Sequence, residues 1–378
     1  FGSQGFEYLD LGRLWQILLF GGLVFWLWLM YRAIKPALAH RDDNFPLLLM
    51  FLVSAIAIPT FYAAGLMYGQ RSHLVTAEYW RWWVVHLWVE GFFEVFATVV
   101  IAFLFTRLKL LSVKSATRAT LFSTVIFLSG GIIGTFHHLY FTGMPASVMA
   151  LGAVFSALEV VPLVLIGREA WENLRLTQAS RNAPWLAAYK WPVYFFVAVA
   201  FWNFVGAGLF GFMINPPVSL YYVQGLNTTP VHGHAALFGV YGMLGLGLML
   251  FCLRALKPGV AWKEKPIAAA FWLLNVGLSA MLLLSVLPVG LLQAWASMNV
   301  GMWYARSAEF LNSPSMRALK WMRVPGDILF TLGALVLGYF VVGLVAGYSY
   351  DWSRSFGVYK DDVEQEAREL AEHAAFGD

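Results

Sequence analysis

The stretch from Trp82 to Thr106, WWVVHLWVEGFFEVFATVVIAFLFT, decides the fold. It stays apolar for 25 residues, and a helix needs about 20 such residues to cross a hydrocarbon layer. Only His86, Glu90 and Glu94 interrupt it with ionisable groups. Such groups are costly inside a bilayer, so they need a partner or a task. Outward from this segment, Pro, Gly and charge clusters delimit nine apolar stretches, about 14–34, 46–68, 82–106, 119–141, 147–167, 191–213, 230–254, 266–293 and 325–347. Membrane barrel strands alternate apolar and polar residues over about ten positions, and these runs do not. The 378 residues are 60% hydrophobic and 12% charged, where a soluble domain carries about 25% charge, so a water-soluble enzyme is excluded. The expected fold is all-α, a polytopic transmembrane bundle of about nine helices. Residues 1–13 are read as an extracytoplasmic segment, 14–347 as the membrane core and 348–378 as a cytoplasmic tail.

Lys and Arg counts in alternate loops set the orientation. One side holds 17 and the other 7, with Arg32 inside the first stretch, which puts the C-terminus in the cytoplasm. The basic excess is then a topology signal and not a nucleic-acid footprint. The one cysteine, Cys252, excludes an intrachain disulfide and a Cys-ligated cluster. The chain starts at Phe1 with no signal peptide before the first span, so a longer protein is expected, with its N-terminal region outside this sequence.

Eight His or Glu residues fall within the stretches: His86, Glu90, Glu94, His137, His138, Glu159, His232 and His234. His40, His73 and His373 lie in loops or the tail and are read as solvated. Positions i, i+4 and i+8 share a helix face, so His86, Glu90 and Glu94 point the same way and an imidazole and a carboxylate can share one ion. A purely structural His–carboxylate hydrogen bond fits the same spacing. His137 and His138 lie about 100° apart at a helix end and reach one metal only if it sits between their directions. His232 and His234, two apart, face opposite sides of one helix and cannot chelate one ion, which suits two separate planar cofactors. Gly233, Gly239, Gly242, Gly245 and Gly247 leave room for large rings, although glycine also serves plain helix packing. The topology puts all five histidines at one depth in the outer half of the membrane.

One His, then a His-His pair, then His-x-His is the ligand order of the haem-copper oxidase superfamily. Trp82 to Glu94, Gly134 to Tyr140 and Pro230 to His234 resemble its nitric oxide reductase branch. The wording of Phe136 to Phe141 and of Phe155 to Pro162 resembles the quinol-dependent, single-subunit type. The resemblance implies His232 as proximal ligand of high-spin haem b3, and His234 as one axial ligand of low-spin haem b. It implies His86, His137, His138 and Glu90 as ligands of a non-haem iron, FeB. A true oxidase has a tyrosine four residues after the first His, where this chain has Glu90. Glu94 and Glu159 resemble the family's nearby carboxylates and are expected to deliver protons. Glu7 resembles a calcium-binding glutamate, with a plain acidic loop as the alternative. Asp327, beside Arg323, is the candidate quinol contact, with a salt bridge as its alternative.

The implied activity is reduction of two molecules of nitric oxide to nitrous oxide and water with electrons from quinol, in a bacterial inner membrane. Dimerisation stays open. A terminal oxidase reducing O₂ and a proton-coupled transporter are the other readings. The chain departs from the family in having no His in its first two stretches for the second haem b ligand. The family core has twelve helices, and the nine seen here match the fourth to the twelfth.

Overall fold

The computed structural model describes residues 11–39, 41, 43–69, 71–107, 112–139, 142–158, 188–257 and 259–355. Among the described residues, eight helices are long and apolar enough to cross a membrane, and a ninth apolar helix is shorter. In chain order they are α1 (Arg13–Leu38), α2 (Phe45–Leu66), α3 (Leu74–Thr106), α4 (Val113–Leu139), the short α5 (Ala146–Leu158), α6 (Lys190–Ile214), α7 (Thr228–Leu256), α8 (Glu264–Asn299) and α9 (Val324–Ala346). This is the expected all-α membrane architecture. The fifth expected stretch is met by α5 as far as Leu158; its remainder, with Glu159, lies outside the described residues, as does Glu7.

Two helix starts differ from the sequence reading, and both have local causes. α3 begins at Leu74, eight residues before the apolar run. The His73 ring accepts from Val75 N at 3.3 Å, and Glu78 pairs with Arg81 at 2.6 Å, so the polar first turns satisfy themselves. α4 begins at Val113, where Ser112 Oγ accepts from Ser115 N at 3.2 Å as an N-cap. The segment 294–324, read as a loop, instead continues α8 to Asn299 and carries short helices at Ala308–Leu311 and Pro314–Trp321. A short antiparallel ladder, absent from the sequence reading, pairs β1 (Val260–Trp262) with β2 (Tyr350–Ser355), with Ala261 opposite Asp351 and Trp262 opposite Tyr350.

Four helices widen into π-helical turns: Trp83–Phe93 in α3, Asn203–Phe210 in α6, Leu237–Gly242 in α7 and Leu282–Val286 in α8. Such turns are rare and concentrate at functional sites, because the extra residue re-aims the side chains that follow. The one in α3 contains His86 and Glu90.

The chain forms two compact units. The first is drawn from Phe1–Ile166 and Ala207–Gly225, the second from Gly167–Gly206 and Leu226–Asp378. In the second unit α8 and α9 pack almost backbone to backbone. A Cβ on Gly277 would come within 2.5 Å of Phe330 N, and one on Gly326 within 2.4 Å of Met281 N. Small residues permit this close approach in lipid, where helices gain from contact rather than from expelling water.

Candidate metal and haem sites

In the first unit, α3 and the end of α4 bring three imidazoles together. His86 (0% exposed) and His137 (2%) are buried and His138 is partly so. One ring nitrogen from each lies within 4.8 Å of the others. His138 Nε2 stands 3.3 Å from His86 Nδ1, and Glu90 Oε2 is 2.5 Å from that same Nδ1. α4 ends in a tighter 3₁₀ turn, Thr135–Leu139, which puts the adjacent rings of His137 and His138 at 3.8 Å between centroids. The i, i+4 spacing of His86 and Glu90 thus gives the shared direction that the sequence implied.

A first-row ion fits this donor set. Ligands about 2.1 Å from one ion stand about 3.0–3.4 Å apart in octahedral or tetrahedral geometry, and the two imidazole nitrogens are already at 3.3 Å. The carboxylate supplies a hard oxygen donor beside them. Glu94 is buried on the same helix, one turn beyond Glu90.

The close approach of α5 to this turn rests on glycine. Gly152 on α5 lies so near that a Cβ there would meet His137 N at 2.6 Å. Across the helix pair, a Cβ on Gly134 would lie 3.2 Å from His86 Nε2 and 3.3 Å from Ser156 Cα. Ser156 is itself buried and accepts from Asn215 Nδ2 at 2.8 Å.

In the second unit, His232 and His234 contact different elements, as a two-residue spacing requires. His232 Nδ1 faces Gly206 O on α6 at 2.9 Å, and His234 Nδ1 faces Pro230 O at 2.8 Å. A carbonyl only accepts, so each Nδ1 carries the proton and each Nε2 keeps its lone pair. Arg323 Nη2, which only donates, is 3.2 Å from His234 Nε2 and fits that tautomer. An Nδ1–H held by a carbonyl, with Nε2 left as donor atom, is the usual arrangement for an imidazole that binds a metal. In that tautomer His232 fits a haem iron through Nε2, and His234 would fit one through the same atom once Arg323 gives it up. At two of the α7 glycines the expected room is used differently: a Cβ on Gly239 would meet the ring of Trp202, and one on Gly247 the ring of Phe196, whereas one on Gly245 would meet nothing within 4 Å. The chain's own aromatics pack at Gly239 and Gly247.

Asp327 accepts from Arg323 Nε at 3.1 Å, the salt bridge that was its alternative reading. Sequence reasoning missed three other participants. Arg323 reaches His234 across 89 residues, with no local signal. Trp82 stacks on His138, and Glu78 bonds Trp82; the spacing of four residues from Glu78 to Trp82 and from Trp82 to His86 was the available clue.

Comparison with known proteins follows the same lines. The family model described as "Cytochrome C and Quinol oxidase polypeptide I" matches residues 1–329. A nitric oxide reductase subunit of Stutzerimonas stutzeri is 30% identical over 263 residues, covering 68% of this chain and 53% of that protein. A heme-copper terminal oxidase dimer, solved by cryo-electron microscopy, aligns with a TM-score of 0.54 at 17% identity, over 81% of this chain and 55% of the other. The chain spans about half the length of the relatives it matches.

Proposed function

The chain belongs to the cytochrome c and quinol oxidase polypeptide I family, membrane oxidoreductases that bind haems and a further metal, and on that premise we propose that it is the catalytic core of a nitric oxide reductase. The reaction is reduction of two nitric oxide molecules to nitrous oxide and water, with quinol as electron donor, in a bacterial inner membrane with the C-terminus cytoplasmic. The observation that carries this reading is Glu90 Oε2 at 2.5 Å from His86 in the three-imidazole cluster. A carboxylate suits iron, whereas an oxidase must stabilise Cu(I), which prefers softer ligands. The 30% identical reductase chain supports the same branch.

In this reading His86, His137, His138 and Glu90 hold FeB, His232 binds haem b3 and His234 binds haem b. When bound, the irons supply electrons to the nitrogen and oxygen atoms of the substrate and stabilise negative charge developing on them. The protein's own part is placement and protons. Burial of His86 and His137 keeps water from the imidazole cluster, which strengthens every charge interaction there. A proton shared by His86 Nδ1 and Glu90 Oε2 would have to leave for both to become ligands. Glu94, buried one turn beyond Glu90, is placed to pass protons toward the site, a role also assigned to Glu159. Asp327 at the start of α9 is the quinol contact, and Glu7 the calcium ligand.

The test is metal analysis with a visible spectrum and nitric oxide consumption, on the purified full chain and on Glu90→Ala. Non-haem iron is expected in the native protein and absent from the variant, with haem absorbance kept and turnover lost. Stoichiometric copper would point to an oxidase instead, absence of haem to a transporter, and full activity of Glu90→Ala without FeB would remove the carboxylate from the mechanism.

A further inference from the structure

Trp82 lies in the third turn of α3 and is 2% exposed. Its indole stacks on the His138 imidazole with centroids 3.7 Å apart and planes 7° from parallel. The opposite edge of the indole is also fixed, because Nε1 donates to Glu78 Oε2 at 2.9 Å. The same carboxylate oxygen accepts from Arg81 Nη2 at 2.6 Å, and the Arg81 guanidinium lies 4.7 Å from the centre of the Trp82 ring. Glu78 and Arg81 are themselves largely buried, with side chains 12% and 10% exposed.

These contacts form one chain of constraints. Arg81 fixes the carboxylate of Glu78, Glu78 fixes the tilt of Trp82, and Trp82 fixes the plane of His138. An imidazole donor is useful to a metal only when its ring plane carries the lone pair toward the ion. His138 sits at the end of a short 3₁₀ turn, Thr135–Leu139, which restrains its backbone less than a long helix would. A flat aromatic surface in parallel contact leaves such a ring one plane in which to lie.

We propose that Glu78 and Trp82 are positioning residues for the metal centre: together they set the orientation of the His138 ring and thereby the affinity and geometry of the ion it helps to hold. The proposal rests on the reading of His86, His137 and His138 as metal ligands. Neither Glu78 nor Trp82 touches the ion. They act through His138, as outer partners of metal-bound imidazoles do elsewhere, where their loss weakens metal binding about ten- to a hundredfold.

The test uses the full chain in detergent, depleted of non-haem metal and titrated with Co²⁺. Its X-ray absorption edge reports this site without interference from haem iron. Trp82→Leu is expected to weaken Co²⁺ binding about ten- to a hundredfold and to change the cobalt edge, with haem absorbance intact. Glu78→Gln keeps an acceptor for Nε1 and should return toward native affinity and edge, whereas Trp82→Phe keeps an aromatic face but loses the Nε1 donor and should shift in the same direction as Glu78→Ala. Glu78→Ala should shift affinity and edge in the same direction as Trp82→Leu, and it decides the matter if Trp82→Leu loses haem and does not fold. Native affinity and an unchanged edge in Glu78→Ala and in any folded Trp82→Leu would overturn the proposal. If His138→Ala binds Co²⁺ as the native chain does, the metal-centre reading falls, and the positioning role falls with it.

Discussion

Replacing Gly152 by Ala should damage the metal centre without touching a ligand. The new methyl group would lie 2.6 Å from His137 N, 2.8 Å from Phe136 Cβ and 2.9 Å from Phe136 C. The shortest of these is about 0.8 Å inside the 3.4 Å at which ordinary contact begins. Two of the three atoms are backbone, so no rotamer change relieves the clash and α5 must move away from the end of α4. Overpacking of this kind costs about 1–3 kcal/mol. A shift shared between the two elements moves His137 by several tenths of an ångström, beyond the ~0.2 Å latitude of a metal–ligand distance. The assay is non-haem iron per haem together with thermal unfolding. The expected result is lower unfolding temperature and substoichiometric iron at unchanged haem content. Gly245→Ala is the control, since a Cβ there has nothing within 4 Å and should be tolerated. Native iron content and native unfolding temperature in Gly152→Ala would refute the claim that backbone contact at this glycine holds the His137–His138 turn in place.

Gln293→Ala should destabilise the protein by roughly 1–3 kcal/mol. Gln293 Oε1 accepts from Asn227 N and Nδ2 at 3.0 and 2.8 Å, and its amide donates to Ala305 O at 3.2 Å, so the change strips partners from the N-terminus of α7; thermal unfolding of the variant checks it. Burial raises the Tyr68 hydroxyl above its ordinary 10.0, with Arg13 pulling weakly the other way. The folded state keeps that proton after the unfolded chain has lost it. The stabilisation is therefore complete below about pH 10 and disappears as pH rises through the raised value. Tyr68→Phe should accordingly flatten the alkaline limb of the stability profile, and an unchanged limb would count against the burial argument.

The spanning helices were legible because twenty apolar residues in a row have few other uses. His86 and Glu90 were legible because spacing of four survives even the π-helical turn that holds them. Their geometry was not, since nothing in the residues marks where an α-helix widens. The early start of α3 was hidden by Glu78 and Arg81, which look like loop charges until each is seen to neutralise the other. The glycines of α7 illustrate the opposite error. Composition showed that rings could lie against the backbone there, but only tertiary packing shows that Trp202 and Phe196 are the rings in question. Arg323 and His234 meet through the fold alone, 89 residues apart.

That last meeting links a surface group to a sheltered one. Asp327, with 45% of its side chain in the open, and His234 share a single guanidinium, the first at Nε and the second at Nη2. The first turn of α9 is thus tied to an imidazole on α7 through one intervening side chain.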